Sequence, residues 1–117
     1  MRNPYKLHVM ETAFAIAERT YEATGEFPST ERFGLVSQMR RAAVSIGSNI
    51  AEGCGRSTAA QLVTFLNYAS GSASELEFQA RLAIRLNLGR APSLLELCDL
   101  LTSERKMLAT LSRSFGV

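Results

Sequence analysis

Between Leu62 and Ala83 the residues Leu62, Leu66, Ala69, Ala73, Leu76, Ala80 and Ala83 follow one another at alternating steps of four and three. That rhythm keeps one face of a helix apolar for about six turns, and the same residues would scatter over both faces of a strand. A helix with one such face needs neighbours to cover it. The chain supplies three more segments of the same kind. Leu7, Met10, Phe14, Ala17 and Tyr21 step 3, 4, 3, 4 and predict a first helix over about 5–24, stopped by Gly25 before a Phe27-Pro28 turn. A second, over about 29–53, starts after Pro28 with Glu31 near its positive end and carries Leu35, Met39, Ala42, Ile46, Ile50 and Gly53 on its apolar face.

The third helix, over about 58–87, opens on Thr58 and Gln61, and the fourth, over about 93–115, on Ser93 and Glu96 after Pro92; both pairs have capping-box spacing. The seam of the fourth is Leu94, Leu97, Leu101, Leu108, Leu111 and Phe115. Short links between long amphipathic helices favour antiparallel neighbours, so the expected fold is all-α: one domain, an antiparallel up-down four-helix bundle.

A length of 117 residues suits a single core, and a net charge of +2 is too small to imply a polyanion partner by itself. Its distribution is uneven: residues 1–31 carry five acids and three bases, residues 79–117 six bases and three acids. Cys54 and Cys98 lie 44 positions apart without a metal-ligand pattern. With no leader pattern and no apolar run near the ~20 residues of a membrane span, the expectation is a cytoplasmic protein with no membrane role.

Two helices carry a second seam beside the apolar one. On the second helix it is polar: Gln38, Arg41, Ser45, Ser48 and Glu52, with Asn49 alongside. On the third it runs Phe65, Tyr68, Ser72, Glu75, Gln79, Leu82 and Leu86. A catalytic reading of the polar row finds no support. The chain has one histidine, His8, and one aspartate, Asp99; Ser45 and Ser48 have no base; no Glu-x-x-His pair exists for a di-metal site. No catalytic, cofactor or metal set is therefore assigned. The stretch Gly53–Thr58, "GCGRST", lacks the endings of phosphate-binding loops, and a helix stop followed by a helix start explains each of its residues.

A structural reading accounts for more. Gly47 and Gly71 lie mid-helix, each at a cost of about 1 kcal/mol relative to Ala, which suggests close approach of backbones there. Long polar side chains beside such a contact need partners. Gln38, Arg41, Ser45, Asn49, Glu52, Ser72 and Glu75 are expected to form a polar network in the bundle or between subunits, with either Glu52 or Glu75 able to meet Arg41. If such a pair were buried, removing one member would cost roughly 3–5 kcal/mol.

The segment "FPSTERFGLVSQMRRAAVSIGSNIAEGCGRS" closely resembles the four-helix-bundle proteins encoded in 23S rRNA intervening sequences of bacteria. Phe27, Pro28, Glu31, Gln38, Arg40, Arg41, Ala42, Ser45, Ile46, Asn49, Ile50, Ala51, Glu52, Gly53 and Arg56 match that family's recurrent pattern. Phe65, Leu66, Ala69, Gly71, Ser72, Glu75 and Leu76 match a second block. Two positions depart: Met10 where the family commonly has Trp, and Gly47 where it often has Pro. The resemblance implies a homopentamer around a central channel and no established catalysis. It also implies kinship with accessory proteins of diversity-generating retroelements, whose pentamer engages a reverse transcriptase and nucleic acid.

The leading expectation is a non-enzymatic homo-oligomeric scaffold binding RNA or DNA, or a nucleic-acid enzyme such as a reverse transcriptase. The bases expected to serve it are Arg81, Arg85, Arg90, Arg105, Lys106 and Arg113; solvated or dipole-complementing arginines are the plain alternative. The competing expectation is a protein–protein interaction module with no nucleic-acid role.

Overall fold

The computed structural model describes residues 2–116, with four α-helices and no strand among them. They are α1 (His8–Thr24), α2 (Leu35–Cys54), α3 (Ala59–Arg85) and α4 (Ala91–Arg113), in a bundle 44 Å long. Each helix packs on the next in sequence and α4 closes against α1, so the order around the core is α1-α2-α3-α4. The apolar faces expected for α2 and α3 are buried in full: Leu35, Met39, Ala42, Ile46, Ile50 and Gly53, and every seam residue from Leu62 to Ala83. Thr58 caps α3 as its spacing required, its Oγ1 accepting from the Gln61 N–H at 3.1 Å.

Other expectations are corrected. The second helix does not run from residue 29: a 3-10 turn, Ser29–Glu31, comes first, and α2 starts at Leu35. Gly34 breaks the helical path with φ −106 and ψ −110, and a Glu31 carboxylate oxygen accepts from the Leu35 N–H at 3.4 Å. Phe33 is thrown outward on this turn and is 89% exposed.

The first segment also splits, into a 3-10 turn over Pro4–Lys6, an extended Leu7, and α1. Its buried line is Val9, Met10, Ala13, Ile16, Thr20, Ala23 and Thr24, whereas Phe14 and Tyr21 of the expected seam stay half exposed. Threonine can sit in this core because Thr20 and Thr24 return their hydroxyls to the carbonyls of Ile16 and Thr20, each at 2.7 Å. Helix α4 begins at Ala91 with Pro92 in its first turn, and the Ser93–Glu96 box does not form. Glu96 instead pairs with Arg19 of α1 at 2.9 Å.

Of the two mid-helix glycines, Gly47 approaches α1 rather than α3: a Cβ there would meet Met10 Sδ at 3.6 Å and Ala13 Cβ at 3.7 Å. The two positions that depart from the family pattern thus touch each other. A Cβ on Gly71 would meet nothing within 4 Å among the described residues, so no close approach between them explains it.

The α3–α4 turn is a Schellman closure: Leu88 N–H to Ala83 O at 2.9 Å and Asn87 N–H to Ile84 O at 3.1 Å, with Asn87 at φ 58. Gly89 follows at φ 66, and a Cβ on it would lie 2.6 Å from the buried Phe27 ring. Gly89→Ala is expected to cost about 1–2 kcal/mol, a left-handed penalty plus a shift of Phe27, read as a lower urea midpoint at unchanged slope.

Candidate functional site

The polar row of α2 divides into an inner tie and an outer rank. Ser45 Oγ and Ser72 Oγ share a hydrogen bond of 2.9 Å between α2 and α3, and Asn49 Nδ2 donates to Ser45 O at 2.9 Å and to Ser45 Oγ at 3.0 Å. Ser45, Asn49 and Ser72 therefore form a small latch between the two helices. Gln38, Arg41, Glu52 and Glu75 stand exposed on the outer surface of the chain. The expected Arg41 pair is not made: Glu52 pairs with Arg56 one turn on, and Arg41 and Glu75 have no ion pair among the described residues. Gln38, Arg41 and Glu75 line one polar cleft together with Ser45 and Gln79, where only another molecule would bury them.

The bases expected to bind nucleic acid do not form one patch. Arg81 and Arg105 both pair with Glu77, Arg81 at 2.9 Å, so a single carboxylate draws two of the six guanidinium and ammonium groups. Arg85 and Arg90 sit at the α3–α4 turn. Lys106 and Arg113 lie toward the other end of α4, a helix of 23 residues that spans about 34 Å. Arg113 Nη2 donates to Thr110 Oγ1 at 3.3 Å.

Helix directions sort the charge in a way that linear windows conceal. One end of the bundle carries the start of α1, the α2–α3 turn and the end of α4; dividing each helix at its middle gives this end six bases and three acids. The opposite end has seven bases and eight acids, so a net +2 resolves into +3 and −1. The first half of α3 contributes no charge at all, since residues 57–72 contain none.

Arg2, Lys6 and His8 join Lys106 and Arg113 at this basic pole, which counting residues 1–31 as one acidic block had hidden. The acids of that block at 18, 22, 26 and 31 lie on the far half. The N-terminal segment is held in place by the Arg2 N–H donating to Cys54 O at 3.2 Å and by the Arg2 guanidinium 4.7 Å from the Phe115 ring centre.

One of the pole's three acids, Glu104, lies inside the core, fully buried, with no hydrogen-bond partner for either carboxyl oxygen among the described residues. Burial pushes its pKa up to about 8, so near pH 7 it is mostly neutral and leaves the pole more positive. The seam expected for the fourth helix ran from Leu101 to Leu108 and passed over it.

A second cleft, of about 700 Å³, opens on the outer side of α2 toward the other end, lined by Tyr21, Arg32, Phe33, Arg40, Arg41 and Val44 among others. Arg40 lies 4.4 Å from the Tyr21 ring centre and donates to Thr24 Oγ1 at 3.0 Å. Cys54 and Cys98 are free thiols whose pKa values burial raises. Among the described residues no three His, Cys, Asp or Glu side chains gather as a metal set, and no helix is long and apolar enough to cross a membrane.

Comparison with known proteins agrees with this architecture. The family model described as 23S rRNA-intervening sequence protein matches residues 5–110. A solved protein of unknown function from the S23 ribosomal protein family of Bacteroides thetaiotaomicron superposes with a TM-score of 0.82 at 24% identity, over 90% of this chain and 95% of that one, a likeness of fold. No curated protein matches the chain.

Proposed function

Because the chain belongs to the 23S rRNA-intervening sequence protein family, we propose that it is a non-enzymatic, self-assembling helical scaffold that engages RNA, or an enzyme acting on nucleic acid, through its basic pole. The observation that carries the reading is the charge segregation, +3 at one end against −1 at the other. In a ring of parallel copies the basic ends share one face, and the charge offered to a polyanion grows with subunit number. Self-assembly is supported by the exposed Tyr5, Phe14, Val44, Tyr21 and Phe33 on the α1–α2 side, where two clefts share Val44.

Binding of a fluorescent single-stranded RNA, titrated between 50 and 200 mM salt, tests the nucleic-acid part. Affinity is expected to fall steeply with salt. The triple variant Arg2→Gln, Lys6→Gln, Arg113→Gln should bind more weakly and lower the log–log salt slope by about 2, the share of three phosphate contacts. A slope near zero in the parent, or one unchanged in the variant, overturns it.

The protein-binding alternative is favoured by one observation, the α2 cleft with Phe33 at its edge. Capture of a protein partner at high salt, lost on Phe33→Ala, would select it.

A further inference from the structure

The cleft on the outer side of α2 gathers cations that nothing in the chain neutralises. Arg32, Arg40 and Arg41 all line it, no carboxylate does, and none of the three has an ion pair among the described residues. The nearest acids are turned elsewhere. Glu31 accepts from the Leu35 N–H, Glu22 lines a different cleft with Arg19 and Arg90, and Glu75 lines the neighbouring polar cleft. Glu18 lies about 60° around α1 from Tyr21, on the side away from Ala17, which faces α2.

Two local devices prepare the cleft for a ligand. Arg40 is fixed in advance: its Nε donates to Thr24 Oγ1 at 3.0 Å, its Nη2 to Tyr21 O at 3.4 Å, and its guanidinium lies 4.4 Å from the Tyr21 ring centre. Two of its five N–H donors are used in this way and three remain for an anion. At the mouth, Gly34 with φ −106 and ψ −110 turns Phe33 outward to 89% exposure, and the Arg32 guanidinium stands over the ring, 5.5 Å from its centre.

We infer that this cleft binds a free nucleoside di- or triphosphate, with the phosphates on Arg40 and Arg41 and the base stacked on Phe33. Guanidinium forks take phosphate oxygens two at a time, and Ser37 and Ser48 add hydroxyl donors. An exposed aromatic ring beside such a cluster accepts a base by its π-face. An acidic peptide is the competing occupant. It needs acceptors for its amide N–H groups beside donors for its carboxylates, and no side-chain amide or carboxylate lines the cleft. The site lies outside the basic pole and does not rest on the reading proposed for that pole.

Anisotropy of ADP carrying a fluorescent N-methylanthraniloyl group, displaced by unlabelled ligands, tests this on the full chain. ADP is expected to displace the label, inorganic tripolyphosphate to displace it more weakly, and adenosine, which has no phosphate, not to displace it. Arg41→Gln should weaken ADP and tripolyphosphate alike, at least about tenfold, through lost charge-assisted hydrogen bonds. Phe33→Ala should weaken ADP at least about fivefold and leave tripolyphosphate unchanged. Both positions are exposed, circular dichroism and melting check the fold, and Arg56→Gln is the equal change of charge outside the cleft. Absence of displaceable binding overturns the proposal, as does ADP binding that neither cleft variant weakens. Displacement by polyglutamate as effective as that by ADP overturns it in favour of an acidic protein segment. Loss of binding in the variant Arg2→Gln, Lys6→Gln, Arg113→Gln but not in the cleft variants moves the nucleotide to the basic pole and overturns the cleft. ADP held in the cleft by a chain that binds no RNA upholds the site and overturns only the reading at the pole.

Discussion

Glu104→Met is expected to stabilise the protein, most at alkaline pH. The parent side chain is fully buried, neither carboxyl oxygen has a partner, and burial alone raises its pKa from 4.5 to about 8. The sign of the pH dependence follows from which state holds the proton. Below about pH 4.5 both the folded and the unfolded chain are protonated at this group. Between 4.5 and about 8 the unfolded chain has released its proton and the folded chain still holds it, so stability falls as pH rises. Across that window the loss amounts to about 4–5 kcal/mol, a large fraction of a small domain's total.

Methionine has a similar length and nothing to desolvate. The variant is expected to gain about 1–3 kcal/mol at pH 5, where the parent carboxyl is neutral but still lacks a partner, and about 4 kcal/mol more than that at pH 8.5. Urea midpoints at the two pH values, at one fixed protein concentration, give both numbers. Equal gains at both would mean that the folded carboxyl titrates like an exposed one.

Gly53→Ala should act in the opposite direction, with a loss of about 3 kcal/mol. Gly53 is buried where α2 leaves the bundle beside the start of α3, and an added Cβ would lie 2.9 Å from Phe65 Cβ, 3.0 Å from Leu62 Cδ1 and 3.2 Å from Leu62 O. The Leu62 methyl can swing aside. Phe65 Cβ and the Leu62 carbonyl move only with their helix, so the two helices must part and open the packing of Leu62 and Ile50. Alanine's better helix propensity, about 1 kcal/mol, offsets only part of this. Gly71→Ala is the internal comparison. With nothing within 4 Å the same substitution should stabilise the isolated chain by about 0.5–1 kcal/mol, so thermal melts of the two variants shift oppositely.

The glycines show where local pattern stops. Gly47 and Gly71 sit mid-helix among small residues, and both suggested close contact. Only the coordinates separate Gly47 and Gly53, which approach other helices, from Gly71, which faces open space. The expected network around Arg41 has a similar history. Its serines and Asn49 do tie α2 to α3, because they lie next to the apolar seam and reach inward. Arg41 and Glu75 lie one step further around and point away from the core. A stripe adjoining a buried face can be half in and half out, and spacing alone does not locate the boundary.

The periodic apolar residues by themselves determined that the chain makes four helices packed as a bundle, and for α2 and α3 which face is inside. Helical faces are properties of consecutive residues, and no alternative face on those two helices is apolar enough to compete. The face of α1 was decided by packing, because Thr20 and Thr24 can hide their hydroxyls on their own helix and let the aromatics Phe14 and Tyr21 turn out. The burial of Glu104 and the gathering of Arg2, Lys6, Lys106 and Arg113 at one pole were likewise decided only in three dimensions. Charge and solvation act through space, and antiparallel helices bring together residues that the chain keeps a hundred positions apart.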